Sequence, residues 1–252
     1  MSAPPTLAEW LREAPFSLCM SSGFFSFFAH TGLLSVMVDE GFLPSRVSGS
    51  SAGALVTGSW AGGVEPDALA KELLALERRH FWDPAVGFGF LKGKLFRDKV
   101  EAMLKVDSLE ACRVPATISV FDVVARTTRV LDHGLLAPAI CASCAVPGLF
   151  HPVTIEGRKY WDGGVLDRPG LMGVPEGERV LFHHIASRSP WRKIDSEALK
   201  IPKRTNMTTL IIEDLPRSGP FRLAEGRRAY DVARKRAKIA LHQLISGNEI
   251  RV

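Results

Sequence analysis

Three long stretches of the chain carry no formal charge, and this feature constrains the fold most. They are residues 14–38, 47–64 and 133–155. The first is long enough to cross a bilayer, but serines, glycines, a proline and a histidine interrupt it, and three prolines interrupt the third. With 46% hydrophobic and 23% charged residues, the chain has the composition of a globular protein. We therefore interpret all three stretches as buried segments.

Segments with strand-like and helix-like patterns alternate along the chain. Runs that are apolar or rich in β-branched residues predict strands at residues 16–20, 46–48, 116–125, 128–131, 153–155, 159–160, 180–185 and 208–212. Apolar residues at helical spacing predict helices at residues 27–39, 52–60, 66–79, 96–105, 135–145 and 223–244. This alternation is typical of an α/β fold with a central, mainly parallel sheet. The length favours a single domain, residues 1–252.

Cysteine content and N-terminal charge indicate the cellular compartment. Four cysteines in a chain of this length do not form a disulfide scaffold, so we expect a reducing compartment. The one C-x-x-C, from Cys141 to Cys144, lacks the second pair that a zinc site needs. The first 13 residues hold two glutamates and one arginine, unlike the basic start of a signal peptide. We expect a cytoplasmic protein, with peripheral membrane contact as a further option.

The sequence Gly49-Ser50-Ser51-Ala52-Gly53 lies between a predicted strand and a predicted helix. A serine at the centre of such a G-x-S-x-G motif sits on a sharp strand-to-helix turn, with its hydroxyl exposed above the sheet edge. Small neighbours allow the tight turn, and the helix N-terminus with the Ala52 N–H stabilises negative charge on a reacting oxygen. The motif therefore predicts Ser51 as a nucleophile rather than as part of a structural glycine-serine turn.

A serine nucleophile needs a base, and Asp162 is the candidate. It stands in Trp161-Asp162-Gly163-Gly164, directly after a predicted strand. The two glycines allow a tight turn that leaves the carboxylate projecting into a cleft. Taken alone, the same residues are also typical of an ordinary Asp-Gly hairpin turn.

Together these motifs resemble the patatin-like phospholipases, lipid acyl hydrolases that use a Ser–Asp dyad without histidine. Ser51 matches the family nucleophile and Asp162 the dyad aspartate. Between them, residues 142–153 (ASCAVPGLFHPV) resemble the family block A-S-x-A-x-P-x-x-F-x-P-V. The resemblance covers residues 16–169. It implies a three-layer α/β/α fold and a serine esterase that cleaves lipid acyl esters through an acyl-enzyme, as a phospholipase A or lysophospholipase does. It implies no metal or organic cofactor.

One segment departs from the family pattern. After the first strand, the family has the sequence D-G-G-G-x-R/K-G. Here residues 21–26 read SSGFFS, so only Gly23 is kept and Phe25 replaces the basic residue. The family uses backbone N–H groups at this position. The resemblance therefore implies an oxyanion hole built from four amides, those of Ser22, Gly23, Phe24 and Ala52. The phenylalanines among residues 24–28 are candidates for lining an acyl channel or for packing in the core.

Two other kinds of protein remain open on the sequence. A histidine-dependent α/β-hydrolase would take its base from the histidines that follow both candidates in chain order, His183, His184 and His242. The first two are adjacent on a predicted strand, where alternation lets only one of them face the core. The other alternative is a catalytically impaired lipid-binding or scaffold protein with a degenerate oxyanion loop.

The C-terminal quarter of the chain is basic. Residues 188–252 hold 15 basic and 7 acidic residues, a net charge of +8, whereas the remainder carries −3. The last predicted helix places its basic residues mostly off the apolar stripe: Arg227, Arg228, Arg234, Lys235 and Lys238. This pattern predicts contact with an anionic membrane, helped by Trp191 within residues 188–193, or an ordinary solvated basic surface. No nucleic-acid-binding module is recognisable.

Overall fold

The computed structural model describes residues 4–186 and 199–252. The helices are α1 (Leu7–Glu13), α2 (Phe27–Asp39), α3 (Ala52–Ala61), α4 (Pro66–Leu74), α5 (Lys94–Met103), α6 (Leu136–Ser143) and α7 (Leu223–Leu241). The strands are β1 (Ser17–Met20), β2 (Arg46–Ser50), β3 (Gly89–Leu91), β4 (Ala116–Asp122), β5 (Thr127–Leu131), β6 (Gly148–Phe150), β7 (Val153–Ile155), β8 (Arg158–Asp162), β9 (Val180–His184), β10 (Met207–Ile211) and β11 (Glu249–Arg251). Short 3₁₀ turns cover Arg78–His80 and Gly163–Val165.

Nine strands form one sheet, in the order β11-β10-β9-β1-β2-β4-β8-β7, with β5 also paired to β4. From β11 to β4 in this order all pairs are parallel, whereas β5, β8 and β7 join antiparallel. The strands β3 and β6 form a separate small pair. The predicted α/β fold, with a central and mostly parallel sheet flanked by helices, is confirmed.

Both faces of the central strands are covered. In β1, Leu18 and Met20 join the main core with the helices, whereas Cys19 packs into a second cluster with Leu171 and Val174. Neighbouring residues of a strand point to opposite faces, so each face has its own apolar contacts. All five residues of β9 are buried for the same reason, including both of its histidines. The expectation that only one of these histidines faces the core was therefore wrong.

The predicted helix over residues 66–79 ends early. Helix α4 stops at Leu74, and the chain then turns into the 3₁₀ segment, where the Glu77 N–H donates to the His80 ring at 3.1 Å. The elements α1, β3, β6 and β11 were not predicted. They have three to seven residues, which is too short for a repeating apolar pattern to be evident.

Helix α7 packs against α2 with its backbone very close. A Cβ placed on Gly32 would lie 2.6 Å from the Tyr230 carbonyl oxygen, so only glycine allows this approach. The predicted contribution of Trp191 and of residues 188–193 to a basic surface lies outside the described residues. Among the helices in the described ranges, none is both long and apolar enough to cross a bilayer.

Candidate active site

Ser51 occupies a strained turn between β2 and α3. Its φ and ψ are 52° and −119°, a conformation that residues with a side chain rarely adopt. The turn is tight because α3 begins against the end of β1. A Cβ on Gly53 would lie only 2.0 Å from the carbonyl oxygen of Met20. This is the strand-to-helix turn that the G-x-S-x-G motif predicts, and its strain directs the serine hydroxyl away from the sheet.

The strained turn is held by residues from the ASCAVPGLFHPV block. The Ser51 N–H donates to Ser143 Oγ at 2.8 Å, and Ser143 Oγ donates in turn to the Ser119 carbonyl oxygen at 2.7 Å. The Cys144 thiol lies 3.3 Å from the Ser51 carbonyl oxygen. Two residues of this block therefore bind the backbone N–H and the backbone carbonyl of Ser51. Sequence analysis did not predict this role for Ser143, although the resemblance pointed to its segment.

Sheet register brings Asp162 to Ser51. Ser50 pairs with Ser119 in the parallel β2–β4 pair, and Val120 pairs with Asp162 in the antiparallel β4–β8 pair. The Ser51 hydroxyl donates to Asp162 Oδ2 at 2.7 Å, and the Gly164 N–H donates to Oδ1 at 2.7 Å. The aspartate is buried, with 6% of its surface exposed. Both carboxylate oxygens are thus oriented, and one of them faces the serine hydroxyl.

The loop after β1 lies beside this pair. The Ser22 N–H donates to the Arg168 carbonyl oxygen at 2.7 Å, so this amide is engaged within the protein. Within residues 4–186 and 199–252, the N–H groups of Gly23 and Ala52 donate to no protein acceptor. Both residues line the same cavity as Ser51. Of the four amides expected in the oxyanion hole, that of Ser22 is engaged elsewhere, whereas those of Gly23 and Ala52 are open to an oxyanion in the cavity.

Buried polar groups support the loop from below. His30 Nε2 lies 2.8 Å from the Ser21 carbonyl oxygen, and His30 Nδ1 lies 2.9 Å from His183 Nδ1. His30 Nε2 therefore carries the proton, and His30 Nδ1 accepts from His183. The Ile185 N–H donates to the Ser21 hydroxyl, and the Ile185 carbonyl accepts from the buried Arg168 guanidinium. Burial lowers the pKa of His30 to about 4 and that of His183 well below its usual value.

The histidines of the alternative triad lie away from the serine. His183 is fully buried in its pair with His30, and the buried His184 has its pKa lowered to about 4 by burial. His242 is exposed at the C-terminal end of α7. None of the described histidines lines the cavity at Ser51. The structure therefore brings an aspartate, and not a histidine, to the serine hydroxyl.

An apolar cavity of about 850 Å³ opens at Ser51, within the range of small-molecule sites. Phe24, Phe25 and Phe27 line it, whereas Phe28 is 1% exposed and packs in the core. Further apolar side chains come from other segments of the chain, among them Leu73, Phe81, Val100, Met103 and Leu149. Lys99 also lines the wall, and its charge is matched by Glu72 at 2.6 Å. The cavity therefore suits a long aliphatic group whose polar end reaches Ser51.

The four cysteines are free thiols, and burial makes the C-x-x-C pair hard to ionise. Burial raises the pKa of Cys141 to about 12 and that of Cys144 well above its usual value. In the part of the chain that the structure describes, no three acidic, histidine or cysteine side chains are grouped as metal ligands would be.

A sheet whose strand delivers a strained serine to the mouth of an apolar cavity is the arrangement of α/β proteins with a nucleophile elbow. Within that class, the model of the patatin-like phospholipase family matches residues 18–174, more than half of the chain. The chain therefore belongs to the patatin-like phospholipase family, as its motifs predict.

Relatives and a solved structure agree with this membership. An uncharacterised NTE family protein of Mycobacterium tuberculosis is 31% identical over 172 residues, and one from Mycobacterium bovis matches to the same extent. Each match covers 66% of this chain and 48% of the relative, so the chain spans about half the length of the relatives it matches. The crystal structure of VipD from Legionella pneumophila has the same fold. It superposes with a TM-score of 0.63 at 14% identity, covering 90% of this chain and 66% of VipD.

Proposed function

We propose that this chain is a serine esterase that hydrolyses lipid acyl esters in the manner of a phospholipase A or lysophospholipase. Ser51 would be the nucleophile and Asp162 the general base. One observation carries the proposal: the Ser51 hydroxyl donates a 2.7 Å hydrogen bond to Asp162 at the mouth of an apolar cavity. Membership of the patatin-like phospholipase family supports a lipid as the substrate.

The proposed acylation step uses this geometry. The acyl chain lies among the phenylalanines of the cavity, and the ester carbonyl carbon meets Ser51 Oγ. As the new C–O bond forms, Asp162 Oδ2 takes the hydroxyl proton. The carbonyl oxygen becomes an oxyanion that accepts from the N–H groups of Gly23 and Ala52. The bond to the leaving alcohol then breaks, and Asp162 returns the proton to that alcohol.

In the deacylation step, water is the nucleophile and Ser51 Oγ is the leaving group. A water molecule attacks the acyl carbon of the ester on Ser51, and Asp162 accepts one of its protons. Collapse of the second oxyanion breaks the bond to Ser51 Oγ, and the proton passes to that oxygen. The products are the free fatty acid and the original serine. Neither step requires a cofactor.

We further infer peripheral contact with anionic membranes through the basic C-terminal region. Within α7, Arg228 pairs with Glu225 at 3.0 Å and Arg234 pairs with Asp39 at 3.0 Å, which partly neutralises them. Four other cations of this helix are exposed and form no ion pair with a described residue: Arg227, Lys235, Arg236 and Lys238. These side chains are free to attract anionic headgroups.

Labelling with a fluorophosphonate probe, which reacts with activated serines, tests the catalytic assignment. We expect the wild-type protein to be labelled at Ser51, located by mass spectrometry of the modified peptide. Ser51→Ala should abolish labelling, and Asp162→Asn should slow it by about 10²–10⁴-fold, the usual contribution of a general base. Two exposed controls outside the cavity, Ser246→Ala and Asp214→Asn, should label at the wild-type rate.

The same experiment separates the alternatives. If folded wild-type protein forms no Ser51 adduct, the scaffold alternative replaces the esterase. If replacing His183, His184 or His242 by Gln abolishes labelling while thermal unfolding remains cooperative, a histidine-dependent enzyme replaces the dyad. Hydrolysis of short and long esters, acylglycerols, phospholipids and lysophospholipids by the active protein would then define the substrate class.

A further inference from the structure

Large apolar side chains are exposed in the segment that precedes α5. Val86 is fully exposed, Phe88 is 73% exposed and Phe90 is 52% exposed. Phe221, just before α7, is 71% exposed. We call these four residues, together with Trp82, the apolar rim. Single exposed apolar residues are common on protein surfaces, but a contiguous group marks an interaction site.

The apolar rim is continuous with the wall of the cavity. Phe25 and Phe81 line the cavity with ring centroids 5.8 Å apart, and the Trp82 ring lies 6.4 Å beyond Phe81. The Trp82 ring then contacts those of Phe90 at 5.6 Å and Phe221 at 5.7 Å. An unbroken series of aromatic rings thus joins the acyl cavity to the exposed surface.

The pairing of β3 with β6 fixes the other side of the rim. Gly89 pairs with Gly148 and Leu91 with Phe150, and Phe150 lines the cavity. The rim segment is therefore attached at both ends to residues of the cavity wall. Its exposed side chains consequently stand beside the cavity wall.

Cations accompany the exposed rings. The Arg78 guanidinium lies 5.4 Å from the Trp82 ring centroid and 5.2 Å from that of Phe221, and Lys159 Nζ lies 5.3 Å from that of Phe88. Within the described residues, neither cation forms an ion pair with a carboxylate. The nearby Asp83 carboxylate accepts from the Gly93 and Leu95 N–H groups instead. Exposed aromatic rings next to uncompensated cations suit the boundary between acyl chains and anionic headgroups.

We propose that the apolar rim docks on a lipid bilayer that contains anionic phospholipid. Val86, Phe88 and Phe90 enter the boundary between headgroups and acyl chains, and Arg78 and Lys159 contact the phosphates. Docking in this orientation turns the cavity opening toward the membrane, so an acyl chain can pass from the bilayer along the aromatic series to Ser51. The biological meaning rests on the proposed function, but the binding itself needs no catalysis.

The first turns of α7 lie beside this surface. Phe221 lies two residues before α7 begins, and Arg227 Nε donates to the carbonyl oxygen of Leu74, next to the Leu73 that lines the cavity. The N-terminal part of the basic helix is therefore near the rim. There Arg227 adds electrostatic attraction to the membrane surface, and the apolar rim inserts into it.

Co-sedimentation of the full chain with vesicles tests the proposal. The vesicles contain phosphatidylcholine alone or phosphatidylcholine mixed with phosphatidylglycerol. The double variant Phe88→Ser/Phe90→Ser should lower the partition coefficient on mixed vesicles at least about tenfold, because two apolar rings no longer insert. The matched control is Val124→Ser, which replaces a residue that is 85% exposed in the β4–β5 turn, outside the rim. It should bind as the wild-type protein does.

A depth measurement separates insertion from adsorption. Lipids brominated on their acyl chains quench tryptophan fluorescence on contact, so bound wild-type protein should lose emission. Most of that loss should disappear in Trp82→Phe. Unchanged quenching in Trp82→Phe, or binding by Phe88→Ser/Phe90→Ser within twofold of wild type, would overturn the proposal. The proposal is also overturned if the wild-type chain forms concentration-dependent dimers and the double variant does not. The rim would then be a contact between copies of the chain.

Failure of the docking proposal is distinguishable from failure of the proposed function. Hydrolysis of a water-soluble short-chain ester needs no membrane, so Phe88→Ser/Phe90→Ser should keep the wild-type kcat/KM on that substrate. A protein that binds vesicles through the rim but never labels at Ser51 would leave the docking surface standing and remove the esterase. If the protein is labelled and active but its rim variant binds vesicles as the wild type does, the esterase stands and the docking surface is removed.

Discussion

The backbone N–H of Ser51 donates a 2.8 Å hydrogen bond to the hydroxyl of Ser143, which lies 92 residues further along the chain. Ser143 is fully buried, and its hydroxyl donates a hydrogen bond to the Ser119 carbonyl oxygen at 2.7 Å. One hydroxyl thus connects the strained turn to α6 and to β4. Since Ser51 has a positive φ, a tertiary contact of this kind is what keeps the turn in its strained conformation.

Ser143→Ala should therefore reduce catalysis without touching the reacting atoms. The substitution leaves the Ser51 N–H without its acceptor, which costs about 1–3 kcal/mol of stability. Loss of serine positioning should lower kcat by about 10- to 100-fold with little change in KM. Ser246→Ala, on an exposed serine, is the control. Steady-state kinetics on a soluble ester and urea unfolding measure both effects, and an unchanged kcat in a destabilised variant would contradict the positioning role.

Ser51→Gly should be more stable than Ser51→Ala. Both variants lose the hydrogen bond to Asp162, so their difference isolates backbone strain. Ordinarily alanine stabilises a chain relative to glycine by reducing the entropy of the unfolded state. Here φ is 52° and ψ is −119°, a region that glycine adopts freely, so the order should invert by about 1 kcal/mol. Chemical denaturation gives the two free energies of unfolding, and a more stable alanine variant would show that the turn holds no strain.

Stability should fall as the pH drops from about 6.5 toward 4. Burial holds the pKa of His30 at about 4, whereas an unfolded histidine titrates near 6.5. In this window the unfolded chain binds a proton that the native state does not, so the free energy of unfolding decreases with decreasing pH. The slope is about 1.4 kcal/mol per pH unit for each such histidine.

Unfolding midpoints measured between pH 8 and pH 4.5 test this histidine effect. His30→Gln should have a shallower slope than wild type even though its stability is lower at every pH. His242→Gln is a control with an exposed ring and should keep the wild-type slope. Equal slopes in wild type and His30→Gln would show that the buried pair does not contribute.

Reversal of the exposed α7 cations should weaken binding to anionic vesicles only. Lys235→Glu, Arg236→Glu and Lys238→Glu each remove attraction worth about 1 kcal/mol near an anionic surface. The triple variant should show the loss at low ionic strength, and the loss should shrink as salt screens the charges. Binding to phosphatidylcholine alone should not change. Equal sedimentation of wild type and variant with anionic vesicles would leave this face as ordinary solvated surface.

The sequence by itself determined the local features of this protein. Charge-free segments with a strand–helix alternation are sufficient for an α/β fold, because burial and periodicity are properties of neighbouring residues. The glycines around Ser51 mark the strand-to-helix turn for the same local reason, and the boundaries of α2 were predicted at Phe27 and Asp39 as observed. Family membership also followed from the motifs, since each of them is a short continuous run.

Only the tertiary structure decided how distant segments combine. The register that sets Val120 against Asp162 depends on β8 running antiparallel beside β4, and no spacing along the chain specifies it. The Ser22 N–H donates to the carbonyl oxygen of Arg168. The His30 ring is hydrogen-bonded to that of His183, which lies 153 residues further along the chain. The apolar rim likewise exists only where rings from separate segments come together. Such contacts form between groups far apart in sequence, and their partners are selected by packing of the whole chain rather than by any local pattern.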